Sequence, residues 1–203
     1  MLLGLDFDNT LICYDRLFHR VALDRGLIPA DLPAQKNCVR DYLRQQNQED
    51  DWTHMQGEVY GDRITEAESF PAVLPTLQGL AQAGLAMRLV SHKTRTPYQG
   101  TAYESTPGGP PMAHCPGLFL PGWVELGPDQ VFFEVTKQEK VNRIVTLGCS
   151  HYIDDLPEIL EMLPDPVQPI LFAPGGAVAV PERWHQFHHW GDLPQLLSTW
   201  GQG

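Results

Sequence analysis

Asp6 and Asp8 stand two residues apart at the end of LLGL, the apolar run that opens the chain. Carboxylates beside an apolar core are costly unless a cation or hydrogen-bond donors meet them. Further along, Ser91, His92 and Lys93 close the run LAMRLVS, Lys137 follows VFFEV, and Asp154 and Asp155 close HYI. Carboxylates can attack an electrophile, move a proton or ligate a hard cation, while a hydroxyl and a lysine can hold an anion. That chemistry exists only if the fold brings these positions together.

The intervening text predicts how it does so. LLGLDF, LAMRLVS, VFFEV, HYIDDL and VQPILFAP read as short buried strands, and RWHQFHHW as a sixth, short edge element. Between them lie helical patterns. VLPTLQGLAQAG stops at Gly84; TKQEKVNRIVTLG has a Thr136/Glu139 capping box and stops at Gly148; PEILEML and the terminal DLPQLLSTW follow. Strands alternating with helices predict an α/β domain with a mainly parallel sheet. In such a sheet functional residues gather beyond the carboxyl ends of the strands, so the acids, Ser91 and Lys137 fall on one rim. Residues 14–70 are polar, with helical spacing in LFHRVALDRGL and CVRDYLRQQ, and read as a small helical insert. Residues 94–128 carry TPGGPP, CPG and LPGW and predict a long irregular loop.

Bulk composition narrows the class. With 203 residues, 42% hydrophobic and 19% charged, the chain suits one core-forming domain with at most a small appendage. A formal charge of −11 argues against an extended nucleic-acid surface, though not against a small anionic substrate. No apolar stretch reaches the roughly 20 residues of a membrane helix, and Asp6 and Asp8 interrupt the first run too early for a signal peptide. Cys13, Cys38, Cys115 and Cys149 form no CxxC pair and read as reduced thiols of a cytoplasmic protein. The five Trp read as core or rim packing, and His185, His188 and His189 as an exposed edge without a metal-ligand pattern.

Asp6-x-Asp8-x-Thr10, Ser91, Lys137 and Asp154-Asp155, in that order and each at a strand or helix end, resemble the four motifs of the haloacid dehalogenase-like (HAD) superfamily. The resemblance covers roughly residues 1–14 and 86–175. It implies a three-layered α/β sandwich with a mainly parallel sheet (HAD-like Rossmannoid) plus a small helical cap. The core would be 1–14 and 71–203, with the loop 94–128 as a second wall, and the cap 15–70. For the phosphatase branch it implies a Mg²⁺-dependent phosphohydrolase of a small phosphorylated metabolite. Asp6 would attack phosphorus to give an aspartyl-phosphate, and Asp8 would protonate the leaving oxygen and then activate water. Ser91 and Lys137 would hold phosphoryl oxygens. Asp6, the backbone carbonyl of Asp8 and Asp154 would ligate the metal, with Asp155 behind Asp154 or in its place. Asn9, Thr10, His92 and Lys93 are candidate substrate contacts, as are Arg16, His19 and Arg95. No nucleic-acid or membrane partner is expected, and the oligomeric state is open.

Asp8 favours phosphoryl transfer over carbon–halogen hydrolysis, which needs neither an acid there nor a metal. Two other readings use the same residues or fold: a phosphotransferase or phosphomutase, and a non-catalytic binding protein. Lys140 competes with Lys137; the latter is preferred because it opens its helix, where anions bind, and a solvated helix face is the alternative for Lys140. Asn9 stands where the commoner text of the family has Gly, and Asn tolerates unusual backbone angles.

Overall fold

The computed structural model describes residues 1–92 and 126–199. Lys93, Arg95, Cys115 and nearly all of the predicted loop lie outside the described residues. The described chain divides into two compact units. One holds residues 1–12, 69–92 and 126–199; the other holds 13–68.

The first unit is built on β1 (Leu2–Leu5), β4 (Ala86–His92), β5 (Val131–Glu134), β6 (His151–Asp154), β7 (Gln168–Phe172) and β8 (His185–Phe187). They form one sheet in the order β5-β4-β1-β6-β7-β8, and every pairing is parallel. β1 therefore lies inside, which explains its uninterrupted apolar text. Helix α5 (Lys137–Thr146) packs on β4 and β5, and α6 (Pro157–Glu161) on β6 and β7. α4 (Val73–Gln82) packs with α7 (Leu193–Ser198) and with the 3-10 turn Trp190–Asp192. The predicted capping box is present: Thr136 Oγ1 accepts from the Glu139 amide at 3.1 Å, and Glu139 Oε2 from the Thr136 amide at 3.0 Å. Gly84 and Gly148 end α4 and α5 with φ of 83° and 72°, a region costly for residues with a Cβ.

One strand glycine has a specific cause. Gly4 is level with Arg88 on β4 and Tyr152 on β6, and a Cβ at Gly4 would meet Tyr152 Cδ2 at 2.5 Å. The missing side chain lets the buried Tyr152 ring cross β1, so that its hydroxyl donates to the Val90 carbonyl on β4.

The second unit is helical. α1 (Asp15–Asp24), α2 (Lys36–Gln45) and α3 (Glu49–Tyr60) pack on one another. Leu17, Phe18 and Val21 of α1, Val39 and Leu43 of α2, and Trp52, Met55 and Val59 of α3 are all buried. Phe18 stacks on Trp52 with ring centres 4.9 Å apart. The spacing over LFHRVALDRGL and CVRDYLRQQ predicts α1 and α2; α3 has no such prediction, because Gly57 and a polar first turn obscure its stripe. β2 (Ile12–Cys13) and β3 (Glu68–Ser69) pair as a separate two-stranded sheet.

Among the described residues no helix is long and apolar enough to cross a membrane. Cys13, Cys38 and Cys149 are free thiols there, and burial pushes Cys149 up to about 11.

Candidate active site

Leu5 of β1 is level with Leu89 of β4 and Ile153 of β6, so the residues just past it emerge on one rim. The Asp6 amide extends the ladder by donating to the Ile153 carbonyl at 2.9 Å. Asp6 is 3% exposed and fully engaged. Its Oδ1 accepts from Ser91 Oγ at 2.8 Å and from Lys140 Nζ at 2.7 Å, and its Oδ2 lies 3.2 Å from Thr10 Oγ1. One oxygen from each of Asp6, Asp154 and Asp155 falls within 4.8 Å of the others, the one such acidic, Cys or His group among the described residues.

The structure places the two candidate lysines differently. Lys137 does not meet the carboxylates: its Nζ is 2.5 Å from Glu158 Oε1, with the side chain 41% exposed. Lys140 is buried and bridges Asp6 Oδ1 and Asp154 Oδ2, at 2.7 and 2.6 Å. Helix geometry gives the reason. Side chains lean toward the helix N-terminus, so the first residue of α5 overshoots the rim. Lys140 starts three residues, about 4.5 Å, further in and reaches back to it. It shares a buried face with Val141 and Ile144, a spacing visible in the sequence. Tyr152 and Asp154 alternate onto one side of β6, so Lys140 Nζ also lies 5.5 Å from the centre of the Tyr152 ring.

Charge is unbalanced here. Burial by itself would lower the Lys140 ammonium's pKa, but Asp6 and Asp154 more than offset this and hold it above the usual lysine value. Asp154 is held well above the carboxylate range by burial and then by Asp6. Asp155 is raised to about 7, by burial first and Asp6 second. When all three are ionised, three carboxylates against one ammonium leave two negative charges unmatched. An all-oxygen, doubly negative set fits a hard divalent cation such as Mg²⁺. Within that set Asp154 is the more committed: its Oδ2 takes Lys140 and its Oδ1 accepts the Leu156 amide at 2.9 Å. Asp155 uses Oδ1 toward Thr10 Oγ1 at 3.3 Å.

A tight loop runs from Phe7 to Ile12. The amides of Leu11 and Ile12 both donate to the Phe7 carbonyl, and Asn9 takes φ 58°, a left-handed backbone. Thr10, buried, also accepts the Asp155 amide at 3.2 Å. The half-buried Asp8 makes an isolated bridge with Ile12; its carboxylate is not one of the converging three. His92, next to Ser91, is half-buried and sits below its ordinary pKa, through burial first and the Lys140 charge second. Lys93 and Arg95 fall outside the described residues. In the helical unit, Arg16 pairs with Glu68 at 3.3 Å and His19 Nε2 lies 2.8 Å from the Leu32 carbonyl oxygen.

No protein-family profile matches the sequence, and no curated protein matches it. Solved structures do. A HAD-superfamily hydrolase from Ehrlichia chaffeensis aligns over 98% of this chain and 96% of its own, with a TM-score of 0.52 and 14% identity. A HAD family hydrolase from Deinococcus radiodurans R1, solved with bound phosphate and sodium, aligns over 98% and 96%, with a TM-score of 0.53 and 15% identity. An L-2-haloacid dehalogenase aligns over 97% and 98%, with a TM-score of 0.52 and 12% identity. By strand order and by these neighbours, the chain has the fold of the HAD-superfamily hydrolases.

Proposed function

We propose that this protein is a Mg²⁺-dependent phosphohydrolase of small phosphate monoesters, with Asp6 as nucleophile. The observation that carries the reading is the convergence of Asp6, Asp154 and Asp155 around a single lysine. Asp6, Asp155 and the Asp8 carbonyl are the ligands we assign, with Asp154 chiefly anchoring Lys140. A cation held there withdraws charge from a bound phosphoryl group and balances the two carboxylates that Lys140 leaves over.

The residues then divide the work. A carboxylate oxygen of Asp6 forms a bond to phosphorus as the ester O–P bond breaks, and Asp8 delivers its proton to the departing oxygen. Water next attacks the same phosphorus, Asp8 recovers a proton, and Asp6 leaves as a carboxylate. Lys140 orients Asp6 and stays charged throughout, while Ser91 and His92 supply donors at the end of β4. The bound phosphate of the Deinococcus hydrolase agrees with this class of substrate.

The dehalogenase neighbour marks a second reading, in which Asp6 attacks carbon. It leaves the acidic excess and Asp8 without a task. A phosphomutase differs only in passing the phosphoryl group to a substrate hydroxyl. The test is a panel of phosphorylated metabolites with Mg²⁺, run beside chelator-treated protein and Asp6→Asn. Inorganic phosphate should appear only with Mg²⁺ and Asp6 intact; release that survives the chelator, or none from any ester, contradicts the reading.

A further inference from the structure

We propose that Trp190, near the other end of the chain, is a positioning residue for this site: it fixes the Thr10 carbonyl and thereby holds Thr10 Oγ1 between Asp6 and Asp155. The inference rests on the phosphohydrolase reading above and adds a residue that none of the matched motifs contains.

The indole N–H of Trp190 donates to the Thr10 carbonyl at 3.0 Å, across 180 positions of sequence. Both ends of that bond are buried. The tryptophan sits in an aromatic cluster and is anchored through its own backbone. Its rings lie 5.3 Å from Phe187 and 5.7 Å from Phe172, centre to centre, and its own carbonyl accepts from Thr76 Oγ1 of α4 at 3.1 Å. The loop it grips is a short excursion with a left-handed residue, Asn9, immediately before Thr10. From there the geometry is a relay. The hydroxyl of Thr10 accepts the Asp155 amide at 3.2 Å, and its one proton serves Asp6 Oδ2 at 3.2 Å or Asp155 Oδ1 at 3.3 Å. These contacts are already near the long limit of a hydrogen bond, so a shift of a few tenths of an ångström in Thr10 breaks them. A phenylalanine would fill the same apolar space; what tryptophan adds is one donor, aimed at the loop just past the first two acids.

Trp190→Phe removes that donor and keeps an aromatic ring. Phe187→Leu is its control, since it thins the same aromatic cluster and leaves the donor in place. The readout is Mn²⁺ binding to the substrate-free protein, followed by electron paramagnetic resonance, with steady-state hydrolysis of an aryl phosphate alongside. Trp190→Phe should weaken Mn²⁺ binding roughly tenfold and lower kcat by a similar factor, with KM changed less than about twofold. Phe187→Leu should melt earlier yet bind Mn²⁺ like the parent. If Trp190→Phe fails to fold, 3-benzothienylalanine at position 190, an indole isostere with sulfur in place of N–H, carries the same expectation. Parent-like Mn²⁺ binding in the Trp190 variant, or equal weakening in Phe187→Leu, overturns the inference and leaves the phosphohydrolase reading standing. A parent protein that neither binds Mn²⁺ nor releases phosphate overturns both.

Discussion

At the scale of residues, the site turns on one buried ammonium shared by two carboxylates. Lys140 neutralises part of a cluster that would otherwise not fold around itself, so its removal leaves buried charge without a partner. Lys140→Met should cost about 3–5 kcal/mol in urea unfolding and abolish turnover. Lys137→Met removes only an exposed pair with Glu158 and should cost no more than about 1 kcal/mol. The reverse ranking would return the role to Lys137. Asp155 gives a pH prediction. Its carboxyl is raised to about 7 in the folded protein from an ordinary value of 3.8, so between those values the native state binds the proton that the unfolded chain has released. Metal-free protein should therefore lose stability as pH rises from about 4 to 7, by at most about 1.4 kcal/mol per pH unit for this proton. Urea midpoints that rise with pH across that window would show that burial does not govern Asp155.

At the scale of elements, the rim exists because a parallel sheet ends several strands at one height, and this much is legible in the residues. The apolar runs gave β1, β4, β5, β6 and β7 their places, and the Thr136/Glu139 box and Gly148 bracket α5. Lys137 and Lys140 both fit that helix's inward face; only depth along the helix separates them, and depth depends on how α5 docks. Trp190 was equally hidden, since a hydrogen bond across 180 positions has no local signature. α3 was obscured by Gly57 within its apolar stripe. Gly4 is legible only as a glycine in a strand; its purpose appears with the Tyr152 ring lying where its Cβ would be. Gly4→Ala should cost about 1–3 kcal/mol in thermal or urea unfolding, because Tyr152 is fully buried and tied to the Val90 carbonyl. An alanine there without cost would mean that the ring has room to move.

At the scale of the whole molecule, the first unit gathers the acids and the second is a helical insert with its own apolar core. On the proposed function, the folded state binds the divalent cation at the rim and the unfolded chain does not. Mg²⁺ at about 100 times its dissociation constant should then add about 2.7 kcal/mol of stability, and a chelator should remove it. That gain should shrink at pH 5, where Asp155 is protonated in the fold, and a gain independent of pH would place the cation elsewhere. The central claim is that Asp6, poised among Ser91, Thr10 and Lys140, receives the phosphoryl group. Its most direct test is rapid acid quenching during turnover of a ³²P-labelled ester, followed by peptide mapping. Label is expected on the peptide carrying Asp6 when Mg²⁺ is present, and no label on Asp6→Asn; ester hydrolysis that proceeds with no label on Asp6 would contradict the assignment of the nucleophile.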